Sequence, residues 1–270
     1  MAFARALALL LLVGFCSKAL AQADAVSANG PDSKPYIPIR PKMDDAGGQM
    51  DEAPDLQVID APTAAVLDSG FFYSRTRFYS GGGALQYLSF GVFNGLNVGA
   101  SLSMDNLVGR QNPVRVREPE AQIRYRFYDG NRFIPAMAIG YDGQGYDYDQ
   151  TTQSYNEPRR GLYWVGSQEL GIPGLEIHPS VNIADLNSNS LGGAVPLVYT
   201  YRNRVAALVE WDNINNLLAQ SRLNAGVRFF VTPNFHLDFD VRGIGQTGRF
   251  PDGTNRGTER VIQMGYTDSF

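Results

Sequence analysis

The sequence contains a single cysteine and two histidines, and it has no apolar run long enough to span a membrane as a helix. Because Cys16 lies close to the N-terminus, the remainder of the chain has no disulfide, thiolate metal site or cysteine nucleophile. The missing runs of about 20 apolar residues exclude a polytopic helical membrane protein. The formal net charge of −4 gives no indication of a nucleic-acid partner.

The first residues have the pattern of a secretory signal peptide. Arg5 provides a basic start, and the apolar run that follows it is too short to cross a bilayer. A small-x-small sequence then ends at Ala21. We therefore predict a signal peptide over residues 1–21, cleaved between Ala21 and Gln22. The alternatives are a buried N-terminal helix and a lipoprotein acylated at Cys16.

The next segment, residues 22–60, is rich in Pro, Asp, Gly and Ala and poor in large apolar side chains. Such a segment buries too little apolar surface to offset the entropy lost on ordering. We predict a disordered periplasmic linker. Residues 35–41 favour polyproline II, and this stretch either docks on a periplasmic protein or is part of a passive tail.

From Gly70 onward, apolar and polar residues alternate with a period of two, which indicates β-strands. The clearest segments are 96–105, 121–128, 223–230 and 235–242. Noisier segments follow the same rule at 70–80, 84–93, 133–142, 161–170, 174–183, 191–201, 204–213 and 260–270. The alternation predicts about twelve strands.

Short and long connections alternate between these segments. Tight turns such as Asn94-Gly95 separate longer loops such as residues 106–119 and 143–160. In an up-and-down meander every second connection lies at the same end, so the short turns share one end. We therefore predict an all-β, closed antiparallel transmembrane barrel over residues 61–270, in the bacterial outer membrane. The short connection at residues 80–83 is an exception, because it falls on the loop side.

The charges within the strands decide which face meets lipid. Arg124, Arg126, Asp238, Asp240 and Arg242 lie in mid-strand opposite the apolar face, which favours a polar interior and an apolar exterior. Aromatic residues beside the tight turns are typical of an interfacial girdle. This set is Phe93, Phe127, Phe133, Tyr199, Tyr201, Phe229 and Phe235.

The C-terminal strand resembles the insertion signal of outer-membrane proteins, in which apolar residues alternate up to a final aromatic. Ile262, Met264, Tyr266 and Phe270 carry the pattern, and Asp268 departs from it where an aromatic is expected. The resemblance implies that the barrel-assembly machinery recognises this strand and that outer-membrane lipid surrounds the barrel.

Two further segments carry a family resemblance. Residues 89–101 resemble a hairpin of uncharacterised bacterial outer-membrane proteins, and residues 135–140, with Asp142 and Gly145, resemble a strand of the YjbH-like group linked to exopolysaccharide production. The likeness extends over about residues 70–183. It implies an outer-membrane location and a role in polysaccharide secretion, and it transfers no catalytic residue.

The strand phases predict a charged lumen. Its predicted lining is Arg75, Arg77, Arg124, Arg126, Glu176, His178, Glu210, Asp212, Arg228, His236, Asp238, Asp240 and Arg242. These residues either fill the interior with ion pairs or line a narrow channel with a charged constriction, and we favour a filled or narrow interior. Residues 61–67, which precede the first strand, are expected to form a plug or to cover the periplasmic mouth.

We predict a non-enzymatic barrel, either a narrow pore or an envelope anchor, within a polysaccharide or surface-secretion system. The alternatives are a lipid-modifying barrel enzyme of the phospholipase or lipid A deacylase type, and a secreted soluble β-barrel that binds an apolar ligand. An enzyme would depend on His178 or His236, and no Gly-x-Ser-x-Gly elbow is present. We assign no catalytic residue, metal site or cofactor.

Overall fold

The computed structural model describes residues 54–109, 113–149, 154–185, 190–215, 220–249, 253 and 255–270. The predicted signal peptide, its cleavage site at Ala21 and Gln22, and residues 22–53 of the predicted linker lie outside the described residues. Among the residues described, no helix has the length and apolar character needed to cross a membrane.

The described fold contains sixteen strands. They are β1 (Phe71–Tyr79), β2 (Gly83–Phe93), β3 (Leu96–Asp105), β4 (Arg115–Val116), β5 (Glu120–Tyr128), β6 (Ala136–Asp142), β7 (Tyr146–Asp149), β8 (Ser154–Glu157), β9 (Gly161–Glu169), β10 (Leu175–Ile177), β11 (Ser180–Ile183), β12 (Leu191–Tyr201), β13 (Val205–Ile214), β14 (Arg222–Thr232), β15 (Phe235–Ile244) and β16 (Glu259–Ser269).

These strands form a closed antiparallel barrel with twelve strand positions, as the alternation predicts. The first strand, β1, pairs with the last, β16, and the ring continues through neighbouring strands without a free edge. β10 and β11 together occupy one position, interrupted at His178-Pro179. β4 pairs with the last residues of β3, beyond the part of β3 that pairs with β5. β7 pairs with β8 in a separate hairpin.

The connections define two ends of the barrel. At the turn end, Gly95 with φ of 79° closes the β2–β3 turn, and Arg202 and Asn203, with φ of 50° and 53°, close the β12–β13 turn. Positive φ at these positions matches the twist of the paired strands. The long connections lie at the opposite, loop end, which also carries the short β1–β2 connection that the sequence predicts as an exception.

The barrel has an apolar exterior and a polar interior. On β15, for example, Phe239 is half exposed on the outside, whereas Asp238 and Asp240 on either side of it are buried inside. Exposed aromatics collect near the turn end, including Phe93, Phe133 and Tyr201. A soluble barrel that holds an apolar ligand needs the opposite arrangement, because its apolar face must point inward.

Residues 54–67, which we call the N-terminal hairpin, lie inside the lumen. Val58 N–H donates to Ala61 O at 3.0 Å, and Thr63 N–H donates to Leu56 O at 3.1 Å, so the chain turns back at residues 59–60. The sequence expectation of a plug at residues 61–67 agrees with this position. The linker prediction for residues 54–60 needs correction, because this stretch is packed in the lumen and its apolar residues are buried.

The C-terminal strand closes the ring beside the start of β1. Ile262 and Tyr266 are exposed on the outer face and Met264 is partly exposed. Phe270 N–H donates to Gly70 O at 2.9 Å, and the Phe270 ring contacts Phe90 edge-on at 6.1 Å between ring centroids. Recognition of this strand by the barrel-assembly machinery stays a prediction.

Candidate functional site

The charged inner wall surrounds the N-terminal hairpin. Of the residues predicted to line the lumen, most have side chains that are nearly or fully buried inside the barrel: Arg75, Arg77, Arg124, His178, Glu210, Asp212, Arg228, His236, Asp238, Asp240 and Arg242. Arg126 and Glu176, which belong to the same prediction, lie towards the turn end and are partly exposed. Many of these charged side chains contact the N-terminal hairpin.

The tip of the hairpin carries Asp60, which three arginines of the wall surround. Arg77 Nη1, Arg222 Nη2 and Arg242 Nε each lie 2.7 Å from a carboxylate oxygen of Asp60. These arginines come from β1, β14 and β15, near the loop end of the barrel. Burial alone would raise the pKa of Asp60, but the surrounding arginines hold this pKa well below its usual range. Asp60 is therefore ionised at neutral pH.

A second contact at the tip uses the backbone. The carboxylate of Glu210, on β13, accepts hydrogen bonds from the N–H groups of Ile59, Asp60 and Ala61 at 3.2, 3.0 and 2.8 Å. Asn224 Nδ2 donates to the same carboxylate at 2.9 Å. Because the turn of the hairpin points these N–H groups towards one buried anion, Glu210 satisfies donors that would otherwise be unpaired.

The first leg of the hairpin is fixed by Arg228. Its guanidinium binds Asp238 through two hydrogen bonds of 2.8 Å, and Nη2 also donates to the carbonyls of Gln57 and Val58 at 3.2 and 3.1 Å. Nη1 lies 2.8 Å from a carboxylate oxygen of Asp55. One wall arginine thus joins a wall carboxylate to the hairpin.

The second leg is fixed by the opposite wall. Arg124 Nη1 donates to Ala65 O at 3.0 Å, Ala64 N–H donates to Ser167 Oγ at 2.8 Å, and Leu67 N–H donates to Asn97 Oδ1 at 3.1 Å. Ala64 also packs in an apolar cluster with small alanines of β6. The two legs therefore contact different sides of the lumen.

A long loop at the loop end reaches the same arginines as the hairpin tip. Glu157, the last residue of β8, forms ion pairs with Arg222 and Arg242, the latter at 3.4 Å. Arg160 Nη2 lies 3.1 Å from Asp212. Arg222 and Arg242 therefore connect the tip of the hairpin to the loop that contains β7 and β8.

The two histidines have structural partners. His178 Nδ1 lies 2.8 Å from Ser167 Oγ, and its Nε2 lies 3.6 Å from Glu176 Oε2. A serine, a histidine and a carboxylate are thus close together, but Ala64 of the hairpin covers the buried serine hydroxyl. His236 stacks on Tyr73, with 6.2 Å between ring centroids. Both histidines are buried, with 4% and 3% of their surface exposed.

Carboxylates of the hairpin tip and the wall also form one cluster. Ligand oxygens of Asp60, Glu210 and Asp212 lie within 4.8 Å of one another. Arg77, Arg222 and Arg242 surround Asp60, and Arg160 pairs with Asp212, so cationic side chains already occupy the positions next to these oxygens. The donor set does not fit a divalent cation.

Sequence reasoning missed several residues of this site. Asp60, Glu157, Arg160 and Arg222 are outside the predicted lining, although all of them contact it. The run Leu56-Gln57-Val58-Ile59 is the available signal, since it is the most apolar part of residues 54–60 and ends directly before Asp60.

No protein-family model and no curated protein matches the chain. Solved structures similar to it include the KdgM porin, at 11% identity and a TM-score of 0.48, with 74% of this chain and 99% of that chain covered. An outer membrane channel from Pseudomonas putida F1 has 9% identity and a TM-score of 0.40, with 78% and 100% covered. The NanC porin has 11% identity and a TM-score of 0.35, with 74% and 99% covered. The YjbH-like resemblance stays a sequence-based prediction.

Proposed function

We propose that this chain is a bacterial outer-membrane barrel that forms a narrow pore, closed by its own N-terminal hairpin. The outward apolar face and the aromatic residues at the turn end support the location, together with the secretory leader expected from the sequence. The turn end then faces the periplasm and the loop end faces the cell exterior. The single observation that carries the proposal is Asp60 inside the lumen, between Arg77, Arg222 and Arg242.

The contacts of the hairpin favour the closed state. Its tip and both legs bind the wall through hydrogen bonds and ion pairs. Val58 and Ile59 also pack against Val198, Ala206 and Leu208 of the wall. Withdrawal of the hairpin therefore breaks buried ion pairs and exposes apolar surface to water, so the closed state is the resting state.

The loop carrying Glu157 closes the other end in concert with the hairpin. Because Arg222 and Arg242 each bind both Asp60 and Glu157, withdrawal of the hairpin removes one of three carboxylates from each arginine. The position of the loop then depends on the position of the hairpin. Any such coupling is reciprocal, so a ligand that moves the loop also changes the affinity of the wall for the hairpin.

Conductance in planar bilayers tests the pore. We expect little current from the intact chain and a several-fold larger conductance from a variant lacking residues 54–67. Asp68→Asn is the matched control, since this carboxylate is exposed just outside the hairpin and its loss should leave the current unchanged. Equal and negligible conductance of the intact and deleted forms would support an envelope anchor instead.

A cross-link separates plugging from misfolding. In Ala64→Cys/Ser167→Cys, oxidation should join the second leg of the hairpin to β9, because Ser167 Oγ lies next to the backbone of Ala64. We expect conditions that raise the conductance of the reduced variant to leave the conductance of the oxidised variant unchanged. Opening that is insensitive to oxidation would show that ions pass elsewhere.

The role in a polysaccharide or surface-secretion system is part of the same proposal. When the hairpin leaves, its carboxylates Asp55 and Asp60 leave with it, and the wall arginines lose these counter-charges. Withdrawal therefore makes the lumen more positive by two charges, which favours an anionic solute, such as an acidic polysaccharide. Block of the open variant by acidic oligosaccharides, but not by neutral ones of equal length, is the expected result.

A further inference from the structure

A small cavity remains between the hairpin and the wall. Leu56 and Gln57 bound it on the hairpin side, and side chains of β1, β2, β3, β5, β6 and β9 form the rest of its lining. Its volume is about 30 Å³. That is room for about two water molecules or one group of similar size.

Arg75 is the unusual member of this lining. It is 3% exposed, its Nε has no hydrogen-bond partner, and no carboxylate among the described residues lies within 4 Å of its guanidinium. Its guanidinium carbon lies over the ring of Tyr87, 4.3 Å from the ring centroid. Burying a cation without an anionic partner costs free energy, so an anion bound beside Arg75 would be stabilised.

A second donor in the cavity is also unpaired. Asn97 Oδ1 accepts the hydrogen bond from Leu67 N–H, while its Nδ2 is buried and has no partner. The hydrogen bond from Leu67 therefore fixes the orientation of the Asn97 amide, and this orientation leaves the NH₂ group as an unpaired donor. Two side chains from neighbouring parts of the wall, Arg75 and Asn97, thus offer hydrogen-bond donors to one space.

The other ionisable groups of the lining leave a net positive charge. Arg124 is directed to Tyr163 and to the carbonyl of Ala65. Asp142 is the one carboxylate in the lining, and it accepts hydrogen bonds from Gln144 N–H at 3.0 Å and Gln122 Nε2 at 3.2 Å. Two guanidinium groups and one carboxylate amount to one uncompensated positive charge.

We propose that this cavity binds one small monovalent carboxylate, of the size of formate or acetate, between Arg75 and Asn97. A guanidinium presents two parallel N–H groups that match the two oxygens of a carboxylate, and the amide of Asn97 supplies a third donor. The volume fits an acid of this size, and the single excess charge matches a monovalent anion. The site requires the hairpin in place and does not depend on its movement.

Calorimetric titration of the full-length mature protein in detergent with sodium acetate tests the proposal, with ionic strength held constant by sodium sulfate. We expect one acetate per chain and at least tenfold weaker binding by Arg75→Gln. Arg202→Gln is the matched control, since it removes the same charge from an exposed turn and should bind acetate normally. Absence of saturable binding by the intact protein, or unchanged affinity of Arg75→Gln, would overturn the site.

A second variant and a second anion complete the test. Should Arg75→Gln fail to fold, Arg75→Lys keeps the charge without the two parallel donors, and we expect several-fold weaker acetate binding. Titration with sodium chloride distinguishes carboxylate recognition from simple charge pairing. Chloride affinity equal to that of acetate would overturn the assignment to a carboxylate.

Discussion

On the side of the lumen formed by β14 and β15, each buried arginine contacts carboxylates: Arg222 and Arg242 bind Asp60 and Glu157, and Arg228 binds Asp55 and Asp238. On the side formed by β1, β2 and β3, Arg75 contacts none. The hairpin therefore supplies carboxylates to the arginines of β14 and β15 and to Arg77 on β1, but none to Arg75. We expect the first group to hold the hairpin in place and Arg75 to bind an added anion.

The largest expected effect comes from the paired side. Asp60→Asn keeps the shape of the side chain but removes the charge that three arginines share, which should destabilise the seated hairpin by about 3 kcal/mol. With Ala61→Cys as a reporter, thiol labelling of the hairpin tip in detergent should become about 100-fold faster. Asp68→Asn with the same reporter should leave the rate unchanged. Equal labelling rates would mean that the arginines do not hold the hairpin.

Arg75 and Arg77 allow the comparison within one strand. They lie two residues apart on the same face of β1, but only Arg77 contacts Asp60. Arg77→Gln should lower the free energy of unfolding by about 2 kcal/mol, because it removes a charged hydrogen bond from a buried carboxylate. Arg75→Gln should not lower it in acetate-free buffer, because the substitution removes a buried charge that has no anionic partner. Urea titration monitored by tryptophan fluorescence measures both, and equal losses would contradict the comparison.

A smaller effect is expected at the loop end. Glu157→Gln removes one carboxylate from Arg222 and Arg242 but leaves Asp60 bound to both. We expect the hairpin to be held in the lumen less tightly by about 1 kcal/mol, and Ala61→Cys therefore to be labelled a few-fold faster. Glu118→Gln, an exposed charge in another loop, is the control. No acceleration would show that loop and hairpin are independent.

The smallest effect should come from salt. Exposed ion pairs are screened strongly between 0.1 and 1 M salt, whereas buried pairs are screened much less. Since Asp60 and its arginines are buried, labelling of Ala61→Cys should change less than about twofold over this range. A tenfold acceleration would mean that water and ions already reach the tip in the closed state.

The sequence predicts the barrel well because its signal is local. Clean alternation over eight to ten residues identifies four strands, noisier alternation indicates the others, and turns such as Asn94-Gly95 mark their ends. The phases also place residues such as Asp238 and Arg242 inside. Local signals do not find the hairpin site, because Asp60 lies 17 residues from Arg77 and 182 from Arg242 in the sequence. The proline-rich composition before residue 54 leads to the prediction of a linker, although the short apolar run at residues 56–59 packs the hairpin against the wall.

The course of the hairpin has one more consequence. Its tip lies near the loop end, while Asp55 on one leg and Leu67 on the other both lie back towards the turn end. The described hairpin therefore begins and ends on the same side of the lumen. In the proposed orientation a pull on Asp55 towards the turn end can draw the hairpin out, and relaxation can return it, with every strand of the barrel still paired.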